Sequence, residues 1–199
     1  MEQATERRDK SAYRIYILAL LLLINSLSHA DRHVFSVLIP SIKDEFGATD
    51  SLLGLIGGPG FIVSYVLFSI PLARLADRKS RRAVLALSAM LWSAATAACG
   101  AATSLFQLGL SRLTVGIGEA GGMPPAQSML SDLYDERKRS GAMGILSSST
   151  YLGVVLGMMG GATIAAAWGW RAAFFALAIP GFPLAILLWI TGARGAKAA

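Results

Sequence analysis

The chain has 199 residues, of which 54% are hydrophobic and only 15% charged, with a net charge of +6 and a mean hydropathy of +0.56. A domain dissolved in water carries about 25% charged residues, so this balance excludes an ordinary water-soluble globule and points to lipid as the solvent. Basic residues fall in short segments between apolar runs rather than in one patch, which argues for a membrane surface and against nucleic acid. The single cysteine, Cys99, excludes a disulfide framework and reads as a small packing residue.

A membrane-spanning helix needs about 20 mostly apolar residues. After a basic cytoplasmic tail over 1–12, six such runs follow, at about 13–40, 51–75, 82–102, 104–131, 140–165 and 171–192, and 193–199 opens a further cytoplasmic loop. The first run is interrupted by 24-INSLSHADRHVF-35, which places Asp31, Arg32, His29 and His33 inside apolar sequence. The second starts after Thr49-Asp50, a plausible helix cap, and Gly57-Gly58-Pro59-Gly60 is expected to bend it. No charge occurs from Ala83 to Ser111, too long for one span, so the third and fourth divide at Thr103-Ser104. In the fifth, Gly153, Gly157 and Gly161 recur every fourth residue, the small-xxx-small pattern of close helix contact. Pro180-Gly181 and Pro183 are expected to bend the sixth.

The loops give a direction. One side receives Arg7, Arg8, Lys10 and Arg14, then Arg74, Arg78, Lys79, Arg81 and Arg82, then Arg137, Lys138 and Arg139, and finally Arg194 and Lys197; the other receives only Lys43 and Arg171. The positive-inside bias therefore predicts a multi-pass protein of the plasma membrane (the inner membrane of a bacterium) with both termini cytoplasmic. The first 30 residues also resemble a secretory signal, with Arg7-Arg8, an apolar core and Ser28-His29-Ala30 as the cleavage site. Cleavage there would leave 34–39 as a stub and destroy the alternation of the basic loops.

Four charges fall well inside the spans: Asp31 and Arg32 in the first, Arg112 and Glu119 in the fourth; they sum to zero. A lone charge at the bilayer centre costs roughly 3 kcal/mol, so pairing or a watery cavity is expected. At a rise of about 1.5 Å per residue, Asp31 and Arg112 fall at similar depth, about 6 and 9 Å from the midplane on the outer side, with Glu119 near the centre. Arg112 and Glu119 are seven apart and share a helix face, with Gly116 and Gly118 thinning the helix between them. A static ion pair between the first and fourth helices accounts for Asp31 and Arg112 but leaves Glu119 without an evident partner. The functional alternative is a carboxylate facing a cavity that takes up a proton on one side and releases it on the other. His29 and His33 lie one turn apart and titrate near neutrality unless perturbed. They read equally as packing residues, and no third ligand nearby makes them a metal site.

The loop 71-PLARLADRKSRRAVL-85 resembles the signature G-x-L-A-D-R-x-G-R-R of the major facilitator superfamily, with Ala73 and Ser80 in place of the two glycines and Asp77, Arg78, Arg81 and Arg82 retained. The fourth span, 112-RLTVGIGEAGGMPPA-126, is similar to the family's R-x-x-x-G-x-G motif, and WGWRAAFF at the sixth resembles it as well. The resemblance implies an all-α integral membrane fold in which these six helices, a 3+3 inverted repeat, form the N-terminal half of a twelve-helix carrier with the substrate between halves. Asp31-Arg32 and the GIGEA stretch are most similar to Spinster-type transporters, and the organic anion:cation symporter branch is the alternative. The former implies lysophospholipid-like substrates, with Asp31 and Glu119 as protonation sites. The buried charges themselves point to Arg32 and Arg112, with His33, lining the same cavity, and a proton gradient is expected in place of any cofactor. Asp77, Arg78, Arg81 and Arg82, with Asp132 at the foot of the fourth helix, then form a gating loop.

An intramembrane serine protease would need a G-x-S-type nucleophile with a histidine on a later helix, whereas both histidines lie in the first span; the chain is not expected to be an enzyme. The expected partners are membrane lipid, a small-molecule or lipid-like substrate, and either a missing C-terminal half or a second copy of the chain. A non-transporting six-helix scaffold stays open at this level.

Overall fold

The structure, a computed structural model, describes residues 2–192, with side chains from Ser11 onward. The side chains of Arg7, Arg8 and Lys10 and the segment 193–199, where a cytoplasmic loop is expected, lie outside the described residues. Among the described residues there are ten α-helices, two π-helical turns and no strand.

The first span is one unbroken helix, α1 (Glu2–Phe46). It begins well before residue 13 because Glu, Arg, Lys and Ala over 2–12 are sound helix formers, and Gly47, at φ 62°, ends it in the left-handed conformation. Among its buried side chains, Ile17, Leu21, Ile24, Ser28, Asp31, Phe35, Leu38 and Ile42 form one continuous stripe. They step alternately by four and three residues, the spacing of a seam that stays against its neighbours. Asp31 thus occupies a core position of the packing stripe.

The second span comprises α2 (Asp50–Leu55), a π-helical turn (Ile56–Gly60) and α3 (Phe61–Arg78). Thr49 Oγ1 caps it by accepting from the Leu52 N–H at 3.3 Å. The bend expected at Gly57–Gly60 takes the form of that π turn, which accommodates the missing N–H of Pro59. The third span is α4 (Arg81–Ala101), capped by Ser80. The turn to the fourth lies at Ala102–Ser104, where Gln107 Oε1 accepts the Thr103 N–H at 2.9 Å.

The fourth and sixth spans meet their prolines differently. The fourth run is not one helix: it breaks at Gly121-Gly122 into α5 (Leu105–Ala120) and α6 (Met123–Leu133), of 16 and 11 residues. Pro124 and Pro125 supply no N–H, so the last turn of α5 closes instead through Gly121 and Gly122 N–H groups onto the Gly118 and Glu119 carbonyls. Among the described residues, five stretches are long and apolar enough to cross a membrane as continuous helical paths. The sixth span, α10 (Trp170–Thr191), runs through Pro180 and Pro183 without a break. Pro180 and Pro183 are both exposed, while Gly181 between them is buried against Ser93.

The fifth span is α7 (Glu136–Ser147), α8 (Ser149–Val155), a second π-helical turn (Leu156–Gly160) and α9 (Gly161–Trp168), ended by Gly169 at φ 83°. α4 lies between α5 and α10, α1 packs on the fifth span and on α10, and α3 packs on α5. Lipid gives no hydrophobic drive for helices to associate, so close packing and interhelical hydrogen bonds must hold the bundle. The glycines supply the first. A Cβ on Gly153 would stand 2.7 Å from the Ser26 carbonyl oxygen, one on Gly157 3.0 Å from Ala30 Cα, and one on Gly161 would strike the Val34 side chain. All three glycines face one stretch of α1, the stretch that carries Asp31. Gly116 and Gly118 do the same for α5, against Phe61 and Trp92 respectively, so what they admit is a neighbouring helix.

The end of the bundle carrying the α3–α4 and α6–α7 turns is the basic end. At the opposite end Glu45 accepts both Arg171 Nη1 and Nη2 at 2.6 Å and Trp170 Nε1 at 2.8 Å, while Arg171 Nη2 also donates to the Ala102 carbonyl at 3.0 Å. This clasp joins α1, α10 and the end of α4.

Candidate functional site

The four intramembrane charges meet in one array between α1 and α5. Arg112 Nη1 donates to Asp31 Oδ2 at 2.7 Å, with the two side chains only 1% and 2% exposed. Thr96 Oγ1, from α4, donates to the other oxygen, Oδ1, at 2.9 Å. Arg32 Nε donates to Glu119 Oε2 at 2.5 Å. Glu119 is therefore not left unpartnered: the long side chain of Arg32 reaches along α5 to the second of its two acidic-and-basic levels.

The pairs differ in their access to water. The Glu119 side chain is 0% exposed while that of Arg32 is 31% exposed. Phe61 lies between the two guanidinium groups, with Arg32 at 5.2 Å and Arg112 at 5.4 Å from its ring centre. Tyr65 backs Arg32 at 4.8 Å and Phe35 backs Arg112 at 4.8 Å. Cation–π contacts of this kind contribute about 0.5–2 kcal/mol each. They place the cations where desolvation alone would forbid them.

Chemically the array is neutral and can stay neutral only if proton or counter-charge follows any change. Glu119 Oε1 is buried and makes no hydrogen bond among the described residues, beside a cation that is 31% exposed. Of the two histidines, His29 Nε2 lies 3.2 Å from Thr150 Oγ1 on the fifth span. His33 is half-buried and makes no hydrogen bond among the described residues. No cluster of three or more His, Cys, Asp or Glu suited to a metal occurs among those residues.

The second group of expected residues gathers at the basic end. Arg81 is ion-paired with Asp132 at the foot of α6 and stands 3.9 Å from Asp77. Arg82 turns to the Trp189 ring at 5.9 Å, and Arg78 is exposed with no ion pair among the described residues. The second, third, fourth and sixth spans thus meet around the 77–82 turn, and Arg139 Nη2 reaches the Ser131 carbonyl at 3.0 Å.

Sequence reasoning missed Thr96, Phe61 and Tyr65. The third span holds several Ser and Thr and nothing in its pattern marks one of them. Phe61 and Tyr65 lie four apart, a helical pair, but which face meets α1 depends on the π turn just before them.

A neutral ion-pair array in the core of a bundle of long apolar helices fits a multi-pass membrane protein. The sequence model of the Major Facilitator Superfamily matches residues 21–198, and the chain belongs to that superfamily. It is 35% identical over 175 residues to an MFS-type efflux pump of Mycolicibacterium smegmatis, covering 87% of this chain and 41% of that protein. It is 34% identical over 164 residues to a probable sulfoacetate transporter of Cupriavidus necator, covering 82% and 38%. Among solved structures, a bacterial homologue of the human lysosomal transporter Spinster, inward-facing and occupied, superimposes with a TM-score of 0.86 at 35% identity, over 90% of this chain and 44% of that one. The chain thus spans less than half the length of these relatives, and its helices make the N-terminal half of their fold.

Proposed function

We propose that the chain is the N-terminal half of a proton-coupled secondary carrier that works by alternating access, its basic end in the cytoplasm. The observation that carries the reading is the buried pairing of Asp31 with Arg112 and of Glu119 with Arg32. A static brace would be served by one pair with both partners sealed. Here one carboxylate is sealed while its cation stays partly open, so a ligand or water that draws Arg32 away frees Glu119 to take a proton. Intramembrane charge that is costly to insert and has alternative partners is charge in use.

The substrate is an anion, its acid group facing Arg32. The likeness to the Spinster homologue favours an amphipathic, lysophospholipid-like acid. A second reading, a compact organic acid carried by a symporter, is favoured by the similarity to the probable sulfoacetate transporter. The remaining wall of the cavity comes from a second six-helix half, on a separate stretch of polypeptide or on a second copy of this one. The second and fifth spans support this, since only 17% of each apolar window is buried within the bundle against 61% for the third.

In the complete carrier, reconstituted in vesicles, Asp31→Asn and Glu119→Gln should each abolish uptake driven by a pH gradient while leaving the protein in the membrane. Coupling unchanged in both variants would defeat the proposal, and a stably folded wild type inert toward organic acids and lysophospholipids alike would favour the scaffold.

A further inference from the structure

Asp31 is held by two groups of different chemical character, and the difference decides where a proton can sit. Arg112 Nη1 serves Oδ2 and Thr96 Oγ1 serves Oδ1. A guanidinium has only donors, whereas a hydroxyl both donates and accepts. A proton on Oδ2 would put two donors face to face inside a site that is 1–2% exposed. A proton on Oδ1 needs only a rotation: the Thr96 oxygen accepts from it, and the Thr96 hydrogen turns to the carbonyl of Trp92, four residues back in α4, a habitual acceptor for a helical threonine. Arg112 then keeps Oδ2 as its acceptor throughout.

We propose that Thr96 is the positioning residue that directs the proton to Oδ1 of Asp31 and holds the carboxyl in one orientation in both protonation states. This rests on the proton-coupled reading above. The proton comes from water entering the cavity, the new O–H bond forms at Oδ1, and the carboxylate becomes neutral while Arg112 retains its charge. The other titratable groups around Asp31 are Arg112 and Glu119 of α5, Cys99 of α4 and Arg32 of its own helix. Of the partners in direct hydrogen-bond contact with the carboxyl, only the threonine can reverse its role.

Infrared difference spectra between alkaline and acidic pH, taken on the full-length carrier in lipid, test this without a known substrate. Asp31→Asn should remove one protonated-carboxyl band. Thr96→Val should move that band to higher frequency, as for a carboxyl that has lost its acceptor, and Thr96→Ser should return it. Thr96→Ala serves the same purpose if the valine variant fails to reach the membrane. A band unmoved by removing the hydroxyl, or moved equally by Thr96→Ser, would overturn the role of Thr96 and leave proton coupling standing. If no band depends on Asp31 at any pH, the protonation of Asp31 and with it the role of Thr96 fall, and a band lost in Glu119→Gln instead would leave the proton-coupled reading standing.

Discussion

The two ion pairs should respond differently to neutralisation, because water can reach one member of only one pair. Removing one partner of a buried pair leaves an uncompensated charge and costs about 3–5 kcal/mol. For Asp31–Arg112, with exposures of 2% and 1%, neither survivor can turn to solvent, so Asp31→Asn and Arg112→Gln should each cost a value in that range. The double variant should recover at least about 2 kcal/mol of the sum, since it leaves no charge behind. For Arg32–Glu119 the costs should be unequal. Arg32→Gln strands a carboxylate that is 0% exposed, whereas after Glu119→Gln the guanidinium, 31% exposed, still reaches water and keeps its contacts with Phe61 and Tyr65. Glu119→Gln should therefore cost less than half as much as Arg32→Gln. Equilibrium unfolding of the intact protein in mixed micelles measures all five variants. Additive singles at Asp31 and Arg112, within about 0.5 kcal/mol, would refute the coupling, and equal costs at Arg32 and Glu119 would refute the solvation argument.

The glycine face of the fifth span gives a second test: Gly157→Val would drive side chain into the Ala30 backbone and should destabilise the bundle by about 1–3 kcal/mol or prevent its assembly. Gly160→Ala, three residues on with nothing within 4 Å, should be neutral or stabilising by up to about 1 kcal/mol in the same melts. At the basic end, Asp132→Asn should change unfolding by about 1 kcal/mol or less, because its pair with Arg81 is solvent-exposed. Any larger loss of transport in that variant would report gating rather than folding. At the opposite end Glu45→Gln should lower the melting temperature more than Asp132→Asn, since that carboxylate holds Arg171 at two points and Trp170 at a third.

Much of the site could be read from spacing, and its limits are specific. The rise per residue put Asp31 and Arg112 at one depth on opposed helices, and they touch. The partner of Glu119 escaped because Arg32 follows Asp31 directly on α1 and points to another side of it; only the length of an arginine side chain brings it round. The stripe from Ile17 to Ile42 was open to inspection and would have identified Asp31 as a core position. The helix start at Thr49 was legible because a capping hydroxyl is local chemistry, and Ser80 and Ser104 cap α4 and α5 in the same way. The break at Gly121-Gly122 and the π turn at Leu156–Gly160 were not, because both depend on what the neighbouring helices leave room for. The same residues Gly-Gly-Met-Pro-Pro would pass as a bent but continuous span if hydropathy alone were counted.

The broken fourth span also bears on how the protein is made. As it leaves the ribosome, the segment 105–133 offers the insertion machinery a 16-residue helix, an interruption and an 11-residue helix. Within the first of these it carries an arginine and a glutamate, each costing about 2.5–3.5 kcal/mol near mid-membrane on insertion scales for charged residues. Such a segment is a poor candidate for entering lipid alone. By then, however, α1 is already synthesised, with Asp31 and Arg32 in place to neutralise both charges. If the earlier helix neutralises the later one as it inserts, a defect in the first span should appear as misrouting of the fourth.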